Sequence, residues 1–187
     1  MQTTTDLFER LIPLLDRAGI PYMVAGSIAS SVHGSPRSTQ DVDLVIAPDH
    51  ASLLRLLQSL PHDTYYFSEE SALRAFARKG QFNIIDFKTG WKVDFILRKS
   101  RPFSALEFER RQVEVVDGIQ LFVARPEDVL LSKLEWARMG SSDRQISDAA
   151  GILRVQGQHL DWDYIEHWID ELSLVDELKR ARTAAET

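Results

Sequence analysis

Val24-Ala25-Gly26-Ser27, followed by Thr39-Gln40-Asp41-Val42-Asp43-Leu44-Val45-Ile46, is the stretch whose reading decides the fold. The first segment reads as a short apolar strand entering a Gly-Ser turn and then a helix. The second reads as a strand on which carboxylates alternate with aliphatics. Strand side chains alternate with a period of two, so Asp41 and Asp43 share one face while Val42 and Leu44 share the other. Like charges on one face repel unless a cation or water answers them, so the pair alone is compatible with a metal site and with a solvated face. Asp94 adds weight to the first reading. It lies in Trp91-Lys92-Val93-Asp94-Phe95-Ile96-Leu97, an aliphatic and aromatic strand with little other reason to hold an acid. Oxygen donors suit magnesium, and Asp41, Asp43 and Asp94 with the Gly-Ser turn form a donor set for divalent ions and a triphosphate.

Size and charge narrow the classes around this stretch. A chain of 187 residues with 44% hydrophobic content is enough for one medium domain, or one domain and a helical extension. The net charge is -6, and its 22 basic residues form no block, which argues against a broad, backbone-driven nucleic-acid surface. The absence of cysteine excludes disulfides and thiolate chemistry. The opening Met1-Gln2-Thr3-Thr4-Thr5-Asp6 carries no basic region before an apolar run, and no apolar segment reaches membrane-spanning length. The plain expectation is a soluble, cytoplasmic protein without a membrane partner.

Periodicity then orders the chain. A helix is expected over Asp6–Ala18, a strand over Ile20–Ala25 and a brief helix over Ile28–His33. After the D-x-D strand, Asp49 is placed to cap a helix over Ala51–Leu60, and Ser68 to cap one ending at Ala77 or Arg78, beyond a short strand at Tyr65–Phe67. Phe82–Phe87 and Trp91–Leu97 read as a hairpin, as do Val113–Val116 and Ile119–Val123 around Asp117-Gly118. Within the first hairpin, Asp94 is assigned to the site and Asp86, close to the turn, to solvent. The basic loop Arg98–Pro102 reads as solvated, with contact to a substrate as the alternative, and a short helix is expected over Phe103–Glu109. Arg125-Pro126-Glu127-Asp128 opens a helical region, and from Val129 the pattern is helical: a helix to Arg138, then Asp143–Val155, Asp161–Asp170 and Leu172–Arg182. His33 reads as structural, and Trp136, Trp162, Tyr164 and Trp168 as core or interface anchors. The expected fold class is α+β, a mixed twisted sheet flanked by helices and followed by a helical C-terminal part. The expected division is a core at 1–125 and a helical subdomain at 126–187.

Gly26-Ser27, Arg37-Ser38-Thr39-Gln40-Asp41-Val42-Asp43-Leu44 and the acid in Val93-Asp94-Phe95 resemble the nucleotidyltransferase fold of the DNA polymerase beta superfamily. The likeness covers roughly residues 5 to 155 and is closest to the abortive-infection type nucleotidyltransferase toxins and the antibiotic nucleotidyltransferases. It implies that Gly26 and Ser27, with Arg37 and Thr39, contact a nucleoside triphosphate such as ATP. It further implies that Asp41, Asp43 and Asp94 hold two magnesium ions. In the toxin-like branch a lysine and a later aspartate of the helical part also belong to the site, and Lys133 and Asp148 resemble them. The resemblance implies a magnesium-dependent nucleotidyltransferase that passes a nucleoside monophosphate to an acceptor hydroxyl and releases pyrophosphate. The acceptor is a small molecule, a protein or tRNA. The alternative is a catalytically silent relative that binds or regulates a cognate protein in a toxin-antitoxin pair.

Overall fold

In the computed structural model the described residues are 4–186; Met1, Gln2 and Thr3, on which part of the N-terminal reading rests, and Thr187 lie outside them. Seven strands form one mixed sheet in the order β3-β4-β5-β2-β1-β7-β6. They are β1 (Tyr22–Val24), β2 (Asp41–Ile46), β3 (Tyr65–Phe67), β4 (Gln81–Asp86), β5 (Lys92–Leu97), β6 (Gln112–Val116) and β7 (Ile119–Val123). The helices are α1 (Thr4–Ala18), α2 (Gly26–His33), α3 (His50–Ser59), α4 (Glu69–Arg78), α5 (Pro102–Arg110), α6 (Pro126–Gly140), α7 (Asp143–Gln156), α8 (Trp162–Glu171) and α9 (Val175–Ala185). This is the α+β class with a helical C-terminal part. Two compact units are present. One takes the chain up to Val24 and Thr39–Val123, and the other takes Ala25–Ser38 and the chain from Ala124 onward. Among the described residues no helix is long and apolar enough to cross a membrane.

Local chemistry explains the element boundaries. Asp49 accepts a hydrogen bond from the Ser52 amide and Ser68 from the Ser71 amide, so α3 and α4 begin where a side chain satisfies an otherwise orphaned donor. α1 ends at Gly19, whose φ of +71° is the left-handed conformation that lacks a Cβ penalty only in glycine. Asp117 and Gly118 both have positive φ, matching the tight turn that a right-twisted two-residue hairpin requires.

In the sheet unit the register decides which face each residue takes. β2 and β5 are parallel with Asp41 opposite Lys92, Asp43 opposite Asp94 and Leu44 opposite Phe95. β4 runs antiparallel to β5, pairing Phe82 with Phe95, Ile84 with Val93 and Asn83 with Asp94. One face therefore buries Val42, Leu44, Phe82, Ile84, Val93 and Phe95. Phe82 and Phe95 meet with ring centroids 5.1 Å apart, and each buried ring contributes roughly 1.5–3 kcal/mol. The opposite face carries Asp41, Asp43, Lys92 and Asp94.

Asp86 corrects the sequence reading. It is 0% exposed rather than solvent-facing, because it has the parity of Phe82 and Ile84 and so belongs to the buried face. Its carboxylate is ion-paired with Arg10 of α1 and accepts from Thr89 Oγ1 at 2.6 Å and from the Lys88 amide at 3.1 Å. Nearness to a turn was the wrong guide, and strand parity the right one.

The helical unit is held by Val129, Leu130, Leu131 and Leu134 of α6, Ile146, Ala149, Ala150 and Ile152 of α7, and Ile165, Ile169, Leu178 and Ala181 of α8 and α9. His33, 4% exposed, shares a 2.7 Å hydrogen bond with the Ala124 carbonyl through Nε2, a structural role. The aromatic anchors divide. Trp168 is buried, Tyr164 donates to Asp128 at 2.5 Å and Trp162 lies under the Arg182 guanidinium, whereas Trp136 is 53% exposed.

Candidate functional site

On the sheet, Asp41, Asp43 and Asp94 lie on one face of neighbouring strands. Both aspartates of β2 project from the face opposite Val42 and Leu44, and the β2–β5 register sets Asp94 directly beside Asp43. Thr39 fixes the entry to β2: its Oγ1 lies 3.2 Å from both the amide and the carbonyl of Asp41. Lys92, which the sequence reading passed over, completes the group. Its ammonium lies 2.9 Å from Asp94 Oδ2 and 3.4 Å from Asp41 Oδ1. The hydrogen bond to Asp94 raises the Lys92 pKa above the ordinary lysine value, against a smaller opposing effect of burial, and the charges of Asp94 and Asp41 add to it. Lys92 stands two residues before Asp94, as Asp41 stands two before Asp43, so the same parity argument finds it.

The donor chemistry of this face fits a hard divalent cation, since it consists of carboxylate oxygens that already attract a positive group between them. It is not a finished cage. Among the described residues no group of three or more His, Cys, Asp and Glu side chains stands ready to hold a metal ion.

In the helical unit the sequence-predicted residues Gly26, Ser27, Arg37, Lys133 and Asp148 form a second cluster. Gly26 has a φ of +58°, so it turns the chain sharply from extended Ala25 into α2, and no side chain caps that helix start. Arg37 follows a loop that is pinned by backbone contact. A Cβ on Gly34 would lie 2.8 Å from the Ile152 amide nitrogen, and one on Gly151 would lie 3.1 Å from the Ser35 nitrogen. Only glycine at both positions lets the loop lie directly on α7. That approach brings Arg37 to Asp148, one turn earlier on α7, with Nε to Oδ1 at 2.9 Å and Nη2 to Oδ2 at 3.2 Å. The bidentate pairing is the geometry for which a planar guanidinium is suited.

Lys133 reaches the same carboxylate from α6, with Nζ 2.7 Å from Asp148 Oδ2. It is 4% exposed, which rules out an ordinary surface lysine. Arg37 also donates to Ser27 Oγ. The Ser27 hydroxyl is thus engaged as an acceptor, which directs its own proton to another partner. Within this trio, one carboxylate shared by two cations neutralises one of their two charges.

Burial is the largest influence on Asp148 and pushes its pKa up. The hydrogen bonds from Arg37 and Lys133, together with their charges, outweigh it and leave the carboxyl below its usual value. A depressed folded-state pKa contributes stability that is present above the unfolded value of about 3.9 and is lost as pH falls through the folded value. Asp148→Asn removes this contribution. Unfolding free energies measured from about pH 7 to pH 3 should show the wild type losing its advantage over the variant at the acid end. Parallel acid limbs for the two proteins would contradict this account.

No family model matches the chain, and no curated protein sequence does. Solved structures do. An antigenic nucleotidyltransferase-like protein from Paracoccidioides brasiliensis is 19% identical, with 97% of this chain and 94% of that one covered at a TM-score of 0.56. ANT(2")-Ia in complex with adenylyl-2"-tobramycin is 12% identical, with 92% and 98% covered at a TM-score of 0.61. The lincosamide antibiotic adenylyltransferase LnuA, lincomycin-bound, is 13% identical, with 80% and 98% covered at a TM-score of 0.53. Identities this low speak for architecture alone, and the architecture of this chain is a nucleotidyltransferase fold.

Proposed function

We propose that the protein is a magnesium-dependent nucleotidyltransferase that moves a nucleoside monophosphate from a nucleoside triphosphate, such as ATP, to an acceptor hydroxyl. The observation that carries this reading is the β2–β5 register, which sets Asp43 beside Asp94 and puts Asp41 on the same face within a nucleotidyltransferase fold. In the reaction the acceptor oxygen forms a bond to the α-phosphorus, the α–β bridging P–O bond breaks and pyrophosphate leaves. Asp41, Asp43 and Asp94 would hold magnesium, which when bound would supply charge neutralisation at the phosphoryl oxygens and a lowered hydroxyl pKa. Asp94 receives the hydroxyl proton. Ser27 donates its proton to a phosphate oxygen, Gly26 keeps a side chain out of the way, and Arg37 and Lys133 offset triphosphate charge. Thr39 acts through Asp41, and Asp148 by holding Arg37 and Lys133 in place. We take residues 1–125 as the nucleotidyltransferase core, of which 25–38 groups with the helices of 126–187, and the protein as acting in the cytoplasm where nucleoside triphosphates are supplied.

Fold leaves the acceptor open. Small polyhydroxyl compounds come first in a test panel, because one solved neighbour is in complex with adenylyl-2"-tobramycin and another is lincomycin-bound. Proteins and tRNA come next. Titration of the four nucleoside triphosphates with Mg2+, followed by pyrophosphate release with each acceptor class, tests the reading. Binding of at least one nucleotide in a Mg2+-dependent manner is expected. A chain that binds no nucleotide under any of these conditions is not this enzyme, and one that binds without turnover is the silent relative, whose toxin-antitoxin role is tested by isolating a cognate protein with it.

A further inference from the structure

We propose that Lys92 is a resident cation of the acid face, occupying the place of a divalent ion and setting the concentration at which one enters; this rests on the metal-binding reading above. The register places Lys92 opposite Asp41 and on the same face as Asp94, so its ammonium is the group between two of the three acids. Without it, Asp41, Asp43 and Asp94 repel one another across neighbouring strands. With it, their charge is partly answered and the metal-free protein is stabilised. The residue type suits a group that must leave. A lysine ammonium is a point charge on a flexible stem, and the Lys92 side chain is 38% exposed, so it can swing off the carboxylates into water without unfolding the strand. Asp94 is only 14% exposed, and its carboxylate keeps its place on β5 when the ammonium departs.

The consequence is a competition between one internal monovalent cation and an external divalent one. Mn2+ titration followed by electron paramagnetic resonance, together with thermal melts with and without Mn2+, tests it on the whole chain. Lys92→Met should bind Mn2+ about tenfold tighter or more, because the competing charge is gone. Its melting temperature without metal should fall, and the gain on adding Mn2+ should exceed that of the wild type. Lys92→Gln serves if the Met variant does not fold. Lys92→Arg keeps the charge and should restore affinity close to the wild-type value, whereas Asp43→Asn in the Lys92→Met background should abolish the gain. Wild-type protein that binds Mn2+ with variants that bind it no more tightly would overturn the role of Lys92 and leave the metal reading intact. Absence of Mn2+ binding in wild type and variants alike would overturn both.

Discussion

Asp43→Asn is expected to lower pyrophosphate release by about a thousandfold for whichever nucleotide the wild type consumes. A metal-binding carboxylate contributes through charge stabilisation of several kcal/mol in the transition state, and about 4 kcal/mol corresponds to that factor. Asp43 is preferred to Asp41 as the more sensitive position. It lies mid-strand beside Asp94, whereas Asp41 opens β2 with a side chain 57% exposed and its backbone held by Thr39. Asp41→Asn should therefore cost activity in the same direction, by no more than Asp43→Asn. The side chain stands on the sheet face opposite buried Val42 and Leu44, so the melting temperature should stay close to the wild-type value. That separates lost chemistry from lost fold. An Asp43→Asn protein that keeps the wild-type rate would remove the D-x-D strand from the mechanism.

What the sequence made legible is what short-range physics determines. The D-x-D strand, the caps at Asp49 and Ser68, the Asp117-Gly118 turn and the acid at Asp94 each follow from parity, orphaned amides or positive φ within a few residues. The pairing of Asp43 with Asp94 was legible as a suspicion, because both acids interrupt apolar strands; their register was not, since it depends on which strands become neighbours. Lys133 shows the other limit. A lysine on an amphipathic helix reads the same whether it faces water or a carboxylate, and the partner that buries it stands on another helix. Arg37 and Asp148 are likewise joined by a close backbone approach at Gly34 and Gly151 that no periodicity records. Lys92 and Asp86 are different, because both obey the alternation already used for the acids, and weighing parity above distance from the turn finds them.

Asp86 yields the second large effect, on stability. Asp86→Ala is expected to destabilise the protein by about 3–5 kcal/mol, toward the lower end because Arg10 keeps part of its hydration. The carboxylate is fully buried, and its removal strands the Arg10 guanidinium, the Thr89 hydroxyl and the Lys88 amide at once. The pair itself need not be worth that much. Taking both charges out of water is costly, so replacing both by apolar groups of similar volume is often close to neutral. Arg10→Met with Asp86→Leu should accordingly cost less than Asp86→Ala alone, a coupling that denaturant unfolding of the two singles and the double reads directly. The residual cost of the double locates at the Lys88-Thr89-Gly90 turn, where the Gly90 amide bonds the Asp86 carbonyl at 2.8 Å and Thr89 loses its carboxylate. That turn sets the register between β4 and β5, and β5 carries Lys92 and Asp94. A cost below about 1 kcal/mol for Asp86→Ala, or a double variant as unstable as the single, would mean that solvent rather than Arg10 answers this acid.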